Sequence, residues 1–127
     1  MSNTASNISL VEDFIKAVCR NDREEILSFF TEDARYHNIP MAEPCLGHDA
    51  IWAEMSLIHS ITTGIDWVTH HIGDNESGAV FTERSDNYEV NGKWITFEVM
   101  GIFEIVDGKI AHWRDYFDMK KSTDQMS

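Results

Sequence analysis

The strongest chemical signal lies near the C-terminus, where residues 113–118 read WRDYFD. An Asp-Gly pair at residues 107–108 predicts a turn before this run, so the run is expected to form the last strand of a sheet. Side chains alternate between the two faces of a strand, so Trp113, Asp115 and Phe117 share one face. A carboxylate between two large aromatic side chains is costly to bury unless it is paired or hydrogen-bonded. The sequence therefore predicts polar partners for Asp115.

Candidate partners occur in two other predicted strands. Arg84 and Asp86 are two residues apart and so lie on one face, and Tyr36 and Asn38 satisfy the same rule. With Asp115, these side chains could converge in an apolar cavity. Two nearby carboxylates beside one guanidinium cannot both ionise cheaply, so the pair is expected to share a proton. Such a pair would supply an acid and a base at one site.

The N-terminal part of the chain is predicted to be helical. Residues 1–7 are polar and are expected to be disordered. Ser9 and Glu12 fit a capping box, which predicts that the first helix begins there. Apolar residues with helical spacing follow at Val11, Phe14, Ile15 and Val18.

Two further helices and the strands follow in order. The cap pattern over Asn21–Glu24 predicts a second helix, with Ile26, Leu27 and Phe30 as core candidates. A short strand over Asp33–Ile39 and a proline-containing loop over Met41–Leu46 precede a third helix, which begins at Gly47 or Asp49 and ends at Gly64. The remaining runs are predicted strands: Ile65–Gly73, Ala79–Val90, Lys93–Val106 and Lys109–Met119.

This order of elements predicts an α+β fold for the whole chain, residues 1–127. Three N-terminal helices would pack against a curved mixed β-sheet, giving a cone-shaped single domain with a pocket inside. A face of apolar side chains is expected to line that pocket and bind substrate. Its members are Met55, Ile58, Tyr88, Phe97, Val99 and Phe117.

The turns predict the register of the sheet. Asn91-Gly92 is a two-residue hairpin signal, which places Asp86 opposite Phe97 and Arg84 opposite Val99. A two-residue turn at Asp107-Gly108 would put Asp115 on the wrong face. A three-residue loop with Gly108 in the left-handed conformation, or a bulge, would restore it. With the three-residue loop, Asp115 faces Val99, Trp113 faces Gly101 and Phe117 faces Phe97.

Composition narrows the functional classes. The chain has 127 residues, 43% hydrophobic content and a net charge of −12, which argues for a globular domain and against nucleic acid or an anionic membrane as partner. No signal peptide is expected, and Cys19 and Cys45 form no CxxC motif, so a cytoplasmic location with reduced cysteines is predicted. The six histidines lack metal-ligand spacing, so no metal site is predicted.

The outer face of the predicted sheet is too apolar for a surface that meets only water. It carries Phe81, Trp94, Met100, Ile102 and Tyr116. The C-terminal residues 120–127 are too few and too polar to cover it. A homodimer formed through this face is therefore predicted.

Three separated segments resemble the limonene-1,2-epoxide hydrolase family. They are YHNIP at residues 36–40, FTERSD at residues 81–86 and the run from Gly108-Lys109-Ile110 to WRDYFD, and the similarity extends from about Arg35 to Lys120. The resemblance implies a cone-shaped fold like that of nuclear transport factor 2 and a homodimer. It also implies one-step hydrolysis of a small apolar, cyclic or terpene-like epoxide to a vicinal diol, without metal or organic cofactor.

The same resemblance implies roles for individual residues. Tyr36, Asn38 and Asp115 would hold and activate a water molecule. Asp86 would be the acid, and Arg84 would tie the two carboxylates together. All five positions match the family pattern.

Three alternatives stay open at this point. Arg84, Asp86 and Asp115 could form a purely structural ion triad. The fold could host a ketosteroid isomerase-like or polyketide cyclase-like enzyme, although such enzymes need an oxyanion donor pair and have no use for an arginine held between two aspartates. The domain could also be a non-catalytic module that binds small ligands or dimerises.

Overall fold

The computed structural model describes residues 4–41 and 43–126 and confirms the predicted α+β fold. The helices are α1 (Thr4–Arg20), α2 (Arg23–Leu27), α3 (Gly47–His59) and α4 (Met119–Asp124). The strands are β1 (Phe30–Asn38), β2 (Cys45–Leu46), β3 (Gly64–Asp74), β4 (Val80–Val90), β5 (Lys93–Val106) and β6 (Lys109–Tyr116). In this part of the chain, no helix is both long and apolar enough to cross a membrane.

The six strands form one curved mixed sheet in the order β2-β1-β6-β5-β4-β3. Strands β3 to β6 are antiparallel neighbours, whereas β1 runs parallel to β6. The parallel pairing sets Tyr36 beside Trp113 and Asn38 beside Asp115. Polar residues that are far apart in the sequence therefore become neighbours on the concave face of the sheet.

Helix α1 closes one end of that concave face. The predicted apolar positions of α1 are all buried, and Phe14 is completely inaccessible to solvent. Its ring makes edge contacts with Phe30, Phe103 and Trp113 at centroid distances of 5.4, 5.9 and 5.2 Å. Aromatic pairs prefer such edge geometry, which stabilises them beyond the area they bury. This aromatic cluster fixes the helix on the sheet directly behind Trp113.

The prediction for the N-terminus was wrong in two respects. Helix α1 is already formed at Thr4, so residues 4–7 are helical and Ser9 lies inside the helix instead of capping it. The Asn7 side-chain amide donates a hydrogen bond of 2.9 Å to the Gly78 carbonyl, an anchor that local sequence cannot reveal. The predicted disorder of residues 1–3 falls outside the described residues.

The boundaries of α2 and β1 also differ from the prediction. Asp22, not Asn21, is the N-cap of α2, and its carboxylate accepts the Glu25 N–H at 3.3 Å. Asn21 instead takes a positive φ of 57° between the two helices. Strand β1 begins at Phe30, three residues earlier than predicted, and the predicted loop contains the short strand β2.

The ends of α3 and β6 also differ from the prediction, and a fourth helix follows β6. Helix α3 ends at His59, and Gly64 begins β3 instead of ending the helix. Strand β6 ends at Tyr116, after which Asp118 caps α4 by accepting the Lys121 N–H at 3.0 Å. Helix α4 was not predicted, because its six residues are mostly polar and carry no apolar period.

The predicted register holds for one hairpin and fails for the other. Asp86 pairs with Phe97 and Arg84 with Val99, as predicted from the Asn91-Gly92 turn. The Asp107-Gly108 turn has only two residues, both with positive φ, so the predicted three-residue loop is wrong. An irregularity between Glu104 and Ile105 restores the face of Asp115, which is the bulge given as the alternative.

As a result, Asp115 pairs with Gly101 and Trp113 pairs with Phe103. The predicted partners, Val99 for Asp115 and Gly101 for Trp113, were therefore wrong by two residues. Phe117 lies beyond the end of β6, so its predicted pairing with Phe97 is not formed, although the two rings make an edge contact at 5.8 Å.

Candidate active site

A buried ion triad forms the centre of the site. The Arg84 side chain is fully buried and donates to Asp86 twice, from Nε at 2.9 Å and from Nη2 at 2.8 Å. Nη2 also donates to Asp115 Oδ2 at 2.8 Å, and Nη1 donates to the Thr82 hydroxyl at 3.0 Å. Both carboxylates are almost completely buried. The guanidinium therefore joins β4 to β6 across β5.

The absence of a side chain at Gly101 makes this bridge possible. Gly101 lies on β5 between the two strands and pairs with both Thr82 and Asp115. A Cβ atom added at Gly101 would overlap Asp115 Oδ1 and lie 2.5 Å from Arg84 Nη1. The sequence analysis missed this residue. A glycine inside a strand often marks a close approach of other groups, and that signal could have identified it.

Trp113 connects the triad to the other pair of predicted residues. Its indole Nε1 donates to Asp115 Oδ1 at 2.7 Å, so both oxygens of this carboxylate have a donor. The indole ring also stacks on Tyr36 with a centroid distance of 4.0 Å and an interplanar angle of 17°. One aromatic side chain therefore fixes the carboxylate and the phenol relative to each other.

Tyr36 and Asn38 form a short hydrogen-bond chain that ends at a third carboxylate. The Tyr36 hydroxyl donates to Asn38 Oδ1 at 2.8 Å, and Asn38 Nδ2 donates to Glu54 Oε2 at 3.1 Å. Glu54 lies on α3 and is half-buried. The sequence analysis did not single it out, because a glutamate in an amphipathic helix is ordinarily on the solvated face.

Burial controls the protonation of the site. Desolvation raises the pKa of Asp86 to about 6, although the Arg84 guanidinium acts in the opposite direction. Burial opposes the charge of Arg84, but Asp115 and Asp86 outweigh it and raise the guanidinium pKa, so the arginine stays charged. Burial and the nearby Asp115 carboxylate raise the pKa of Tyr36 well above its ordinary value, so this phenol keeps its proton.

These polar groups open into one cavity of about 220 Å³. Tyr36, Asn38, Asp86 and Asp115 all line it, while Arg84 lies behind the two aspartates. The six predicted substrate-binding residues also line it: Met55, Ile58, Tyr88, Phe97, Val99 and Phe117. The structure thus brings all eleven predicted site residues together in or directly behind one largely apolar cavity.

His59, one of the six histidines for which no metal site was predicted, also lines the cavity. Trp67 Nε1 donates to the Tyr88 hydroxyl at 3.0 Å, and that hydroxyl lies 3.4 Å from His59 Nε2. His59 Nδ1 lies 2.9 Å from Asn21 Oδ1. Burial lowers the pKa of His59 to about 4, so the ring is uncharged near neutral pH. Its Nε2 can then accept a hydrogen bond from the Tyr88 hydroxyl. His59 is therefore a hydrogen-bonded wall of the cavity.

Helix α4 covers part of the cavity mouth. Met119, Thr123 and Met126 contribute to the lining. The Gln125 side chain fixes this segment on β5, because its Oε1 accepts the Thr96 N–H at 2.9 Å and its Nε2 donates to the Thr96 carbonyl at 2.6 Å. Two opposite hydrogen bonds from one amide imitate a strand partner for Thr96.

This arrangement is suited to acid–base chemistry on an apolar molecule. A protonated carboxyl and an ionised carboxylate can act together when their pKa values are separated by their surroundings. Apolar walls surround both groups, and Tyr36 with Asn38 offers further hydrogen-bonding atoms beside Asp115. The site can therefore protonate one atom and remove a proton from another within the same small space.

Comparison with solved structures first defines the fold class. A putative SnoaL-like polyketide cyclase of Shewanella denitrificans OS-217 has a TM-score of 0.83, covering 94% of this chain and 96% of that one, at 14% identity. An epoxide hydrolase of M. tuberculosis described as LEH-like has a TM-score of 0.81, covering 96% and 90%, at 29% identity. The chain has the SnoaL-like, nuclear transport factor 2-like fold that the sequence predicted.

Comparison of sequences then gives the family. The model of the family described as the limonene-1,2-epoxide hydrolase catalytic domain matches residues 5–126. Epoxide hydrolase EphG of Mycobacterium tuberculosis (strain ATCC 25618 / H37Rv) is 31% identical over 109 residues, which cover 86% of this chain and 71% of that protein. The chain belongs to the limonene-1,2-epoxide hydrolase family, and epoxide hydrolysis is the general activity that this membership supports.

The packing around Gly101 leads to a testable prediction. We expect Gly101→Ala to separate Arg84 from Asp115, because the new Cβ would occupy the space of their contacting atoms. Overpacking of this kind costs about 1–3 kcal/mol of the free energy of unfolding. Denaturant unfolding measures that loss, and any turnover should fall with it.

Gly73→Ala is the matched control. Gly73 also lies in a strand, and a Cβ there would meet no atom within 4 Å. This variant should unfold at the same denaturant concentration as the wild type, or slightly above it. Equal stability and activity of the two alanine variants would contradict the account of Gly101.

Proposed function

We propose that the protein hydrolyses a small apolar epoxide to a vicinal diol in one step. The observation that carries this proposal is the buried Arg84, which holds Asp86 and Asp115 at the same cavity wall. The family membership supports it, since the matching family is that of limonene-1,2-epoxide hydrolase. Asp115, Asp86, Arg84, Tyr36 and Asn38 are the proposed catalytic group.

Asp115 is the proposed base. Each of its oxygens accepts one protein donor and keeps a second lone-pair direction that can receive a hydrogen from water. The Tyr36 oxygen and Asn38 Oδ1 can accept the other hydrogen of that water. A water molecule held through both hydrogens directs a lone pair of its oxygen toward the substrate carbon.

Asp86 is the proposed acid. Its pKa is raised to about 6, so about a tenth of the carboxyl is protonated at pH 7 and more at lower pH, and it lines the cavity. As the water oxygen bonds to one epoxide carbon, the bond from that carbon to the ring oxygen breaks. Asp86 donates its proton to the departing oxygen, while Asp115 takes a proton from the attacking water.

The proton count closes within the triad. One proton enters Asp115 and one leaves Asp86, so the total charge of Asp86, Arg84 and Asp115 is unchanged by turnover. When the aspartates share a proton, their joint charge of −1 balances the +1 charge of Arg84. The triad is then neutral, which limits the cost of burying it. Return of the proton to Asp86, through solvent or along the triad, restores the starting state. The proposed reaction uses only side chains and water, without a cofactor.

The cavity supports a small, apolar substrate. Its volume of about 220 Å³ lies below the roughly 300–1,000 Å³ of pockets for drug-sized ligands. Apart from the polar residues described above, its walls are mainly aliphatic, aromatic and methionine side chains. A compact cyclic or terpene-like epoxide fits this chemistry.

Arg84 also argues against the isomerase and cyclase alternatives. Removal of a proton next to a carbonyl needs donors for the oxyanion that forms, in addition to a base. Here, both candidate carboxylates are bonded to the same guanidinium. A ketosteroid tested beside a panel of cyclic and linear epoxides should therefore remain unchanged while an epoxide is opened.

Single turnover in ¹⁸O-labelled water tests the proposed mechanism. With enzyme in excess over epoxide, all of the label should appear in the diol, with inversion at the attacked carbon, because water attacks directly. Mass spectrometry of the diol and of peptides containing Asp115 and Asp86 measures its position. Label in either peptide with unlabelled diol would indicate an ester intermediate and contradict the mechanism.

Asp115→Asn tests whether Asp115 is the base. The amide has nearly the same shape but cannot take the proton from water, so turnover should fall at least about 10²-fold. Circular dichroism and thermal unfolding should show an intact fold. Turnover like that of the wild type would remove Asp115 from the mechanism.

The raised pKa of Asp86 predicts a pH profile. The acid must be protonated, so kcat/KM should be highest below its pKa of about 6 and decline as the pH rises beyond that value. In the simplest case, the decline above the Asp86 pKa is about tenfold per pH unit. A profile that stays flat to about pH 9 would exclude Asp86 as the acid.

We also propose that the protein is a homodimer through the outer face of the sheet. Phe81, Trp94, Met100 and Tyr116 lie on that face and are exposed, with Trp94 and Met100 each about half accessible. Such a patch is ordinarily covered by a partner. The paired positions Phe81–Ile102 and Met100–Tyr116 make the patch continuous across three strands.

Sedimentation at micromolar concentration tests the dimer. The wild type should sediment as a dimer, and Met100→Glu should shift it toward the monomer, because a charge would be buried at the interface. Ile61→Glu is the control, since Ile61 is equally exposed but lies in the turn after α3. A monomeric wild type would refute the proposed interface.

A further inference from the structure

We propose that Glu54 is a positioning residue that sets the direction of the hydrogen bonds around the attacking water. The inference rests on the proposed function, because it concerns how Asn38 and Tyr36 present their atoms to that water. Its basis is the chain of contacts from Tyr36 through Asn38 to Glu54. Glu54 is a third carboxylate at the cavity, and the mechanism above gives it no role.

The direction of this chain is decided at its Glu54 end. An ionised carboxylate can only accept, so the Asn38 group 3.1 Å from Glu54 Oε2 must be the amide NH₂. The amide oxygen then necessarily faces Tyr36. The Tyr36 hydroxyl does not determine the orientation of the Asn38 amide, because a phenol can donate or accept and would fit either orientation.

The chosen orientation determines what the water meets. With Asn38 Oδ1 facing Tyr36, the phenol proton is used in the 2.8 Å bond to that oxygen. Its pKa is raised by burial, so the phenol does not lose that proton. The Tyr36 oxygen and the second lone pair of Asn38 Oδ1 are then acceptors, as is Asp115. All three groups can accept hydrogens from water and leave its oxygen lone pair free to attack.

The opposite orientation would interfere with attack. Asn38 would donate to the Tyr36 oxygen, and the phenol proton would be free to donate to the oxygen of the water. A hydrogen bond of that kind occupies the lone pair that must bond to carbon. In that orientation the Asn38 amide oxygen would face the Glu54 carboxylate. Two acceptor oxygens with no hydrogen between them make a disfavoured contact.

Glu54→Gln is the critical variant, because it keeps the size of the side chain while adding a donor. A glutamine can pair with either orientation of Asn38, so the fixed direction is lost. We expect kcat to fall about tenfold or more, which is within the range for a misplaced reacting group. KM should change little, because the cavity walls are retained. Asp49→Asn is the matched control, since Asp49 is on the same helix but its side chain is fully exposed.

A double-mutant cycle with Asn38→Ala separates positioning from a direct role. If Glu54 acts through Asn38, the Glu54→Gln change should cost nothing further once the Asn38 amide is absent. An additive loss in the double variant would overturn the inference. So would a rise in KM with unchanged kcat, which would make Glu54 a substrate-binding residue.

A second readout does not depend on turnover. The side-chain amide ¹⁵N–¹H signals of Asn38, assigned by their loss in Asn38→Ala, should form one pair in the wild type and should shift and broaden in Glu54→Gln, where both orientations of the amide are allowed. If the wild type opens no epoxide, the proposed function fails, yet this comparison still decides whether Glu54 controls Asn38. Identical Asn38 signals in wild type and Glu54→Gln would refute the inference.

Discussion

The geometry of the site depends on one buried contact, the Arg84 guanidinium between Asp86 and Asp115. A fully buried charge is stable only if it is paired and its donors are satisfied. Here, Nε, Nη1 and Nη2 all donate within the triad or to Thr82, and the Trp67 ring lies 4.7 Å from the guanidinium carbon. Removing either carboxylate would leave a buried charge partly unpaired. The neighbouring residues are therefore constrained by the arginine as much as by the chemistry.

That constraint extends across the sheet. Gly101 must lack a side chain for the bridge to form, and the irregularity in the β5–β6 pairing is what brings Gly101 opposite Asp115. Trp113 then bonds to Asp115 and stacks on Tyr36, while its other contacts reach Phe14 on α1. A single network of packing and hydrogen bonds thus links the first helix to the Asp115 carboxylate.

The sequence was sufficient to predict which face each polar residue occupies, because alternation along a strand is a local rule. It was insufficient for the register of β6, since the two-residue turn at Asp107-Gly108 and the irregularity beyond it depend on packing of the whole sheet. Helix α4 was missed because its position is set by the Gln125 contacts with Thr96, which no local pattern encodes. Glu54 was missed because its partner Asn38 is distant in the chain.

The proposed roles of the two aspartates are based on strand order. A pair that shares one proton beside one arginine does not by itself determine which member is the base. The parallel pairing of β1 with β6 places Asn38 next to Asp115, and the Ile39 N–H donates to the Asp115 carbonyl at 2.8 Å. Asp86 lies on β4, on the far side of β5. The atoms that can hold a water therefore lie beside Asp115, which is why the proposed mechanism makes Asp115 the base and Asp86 the acid.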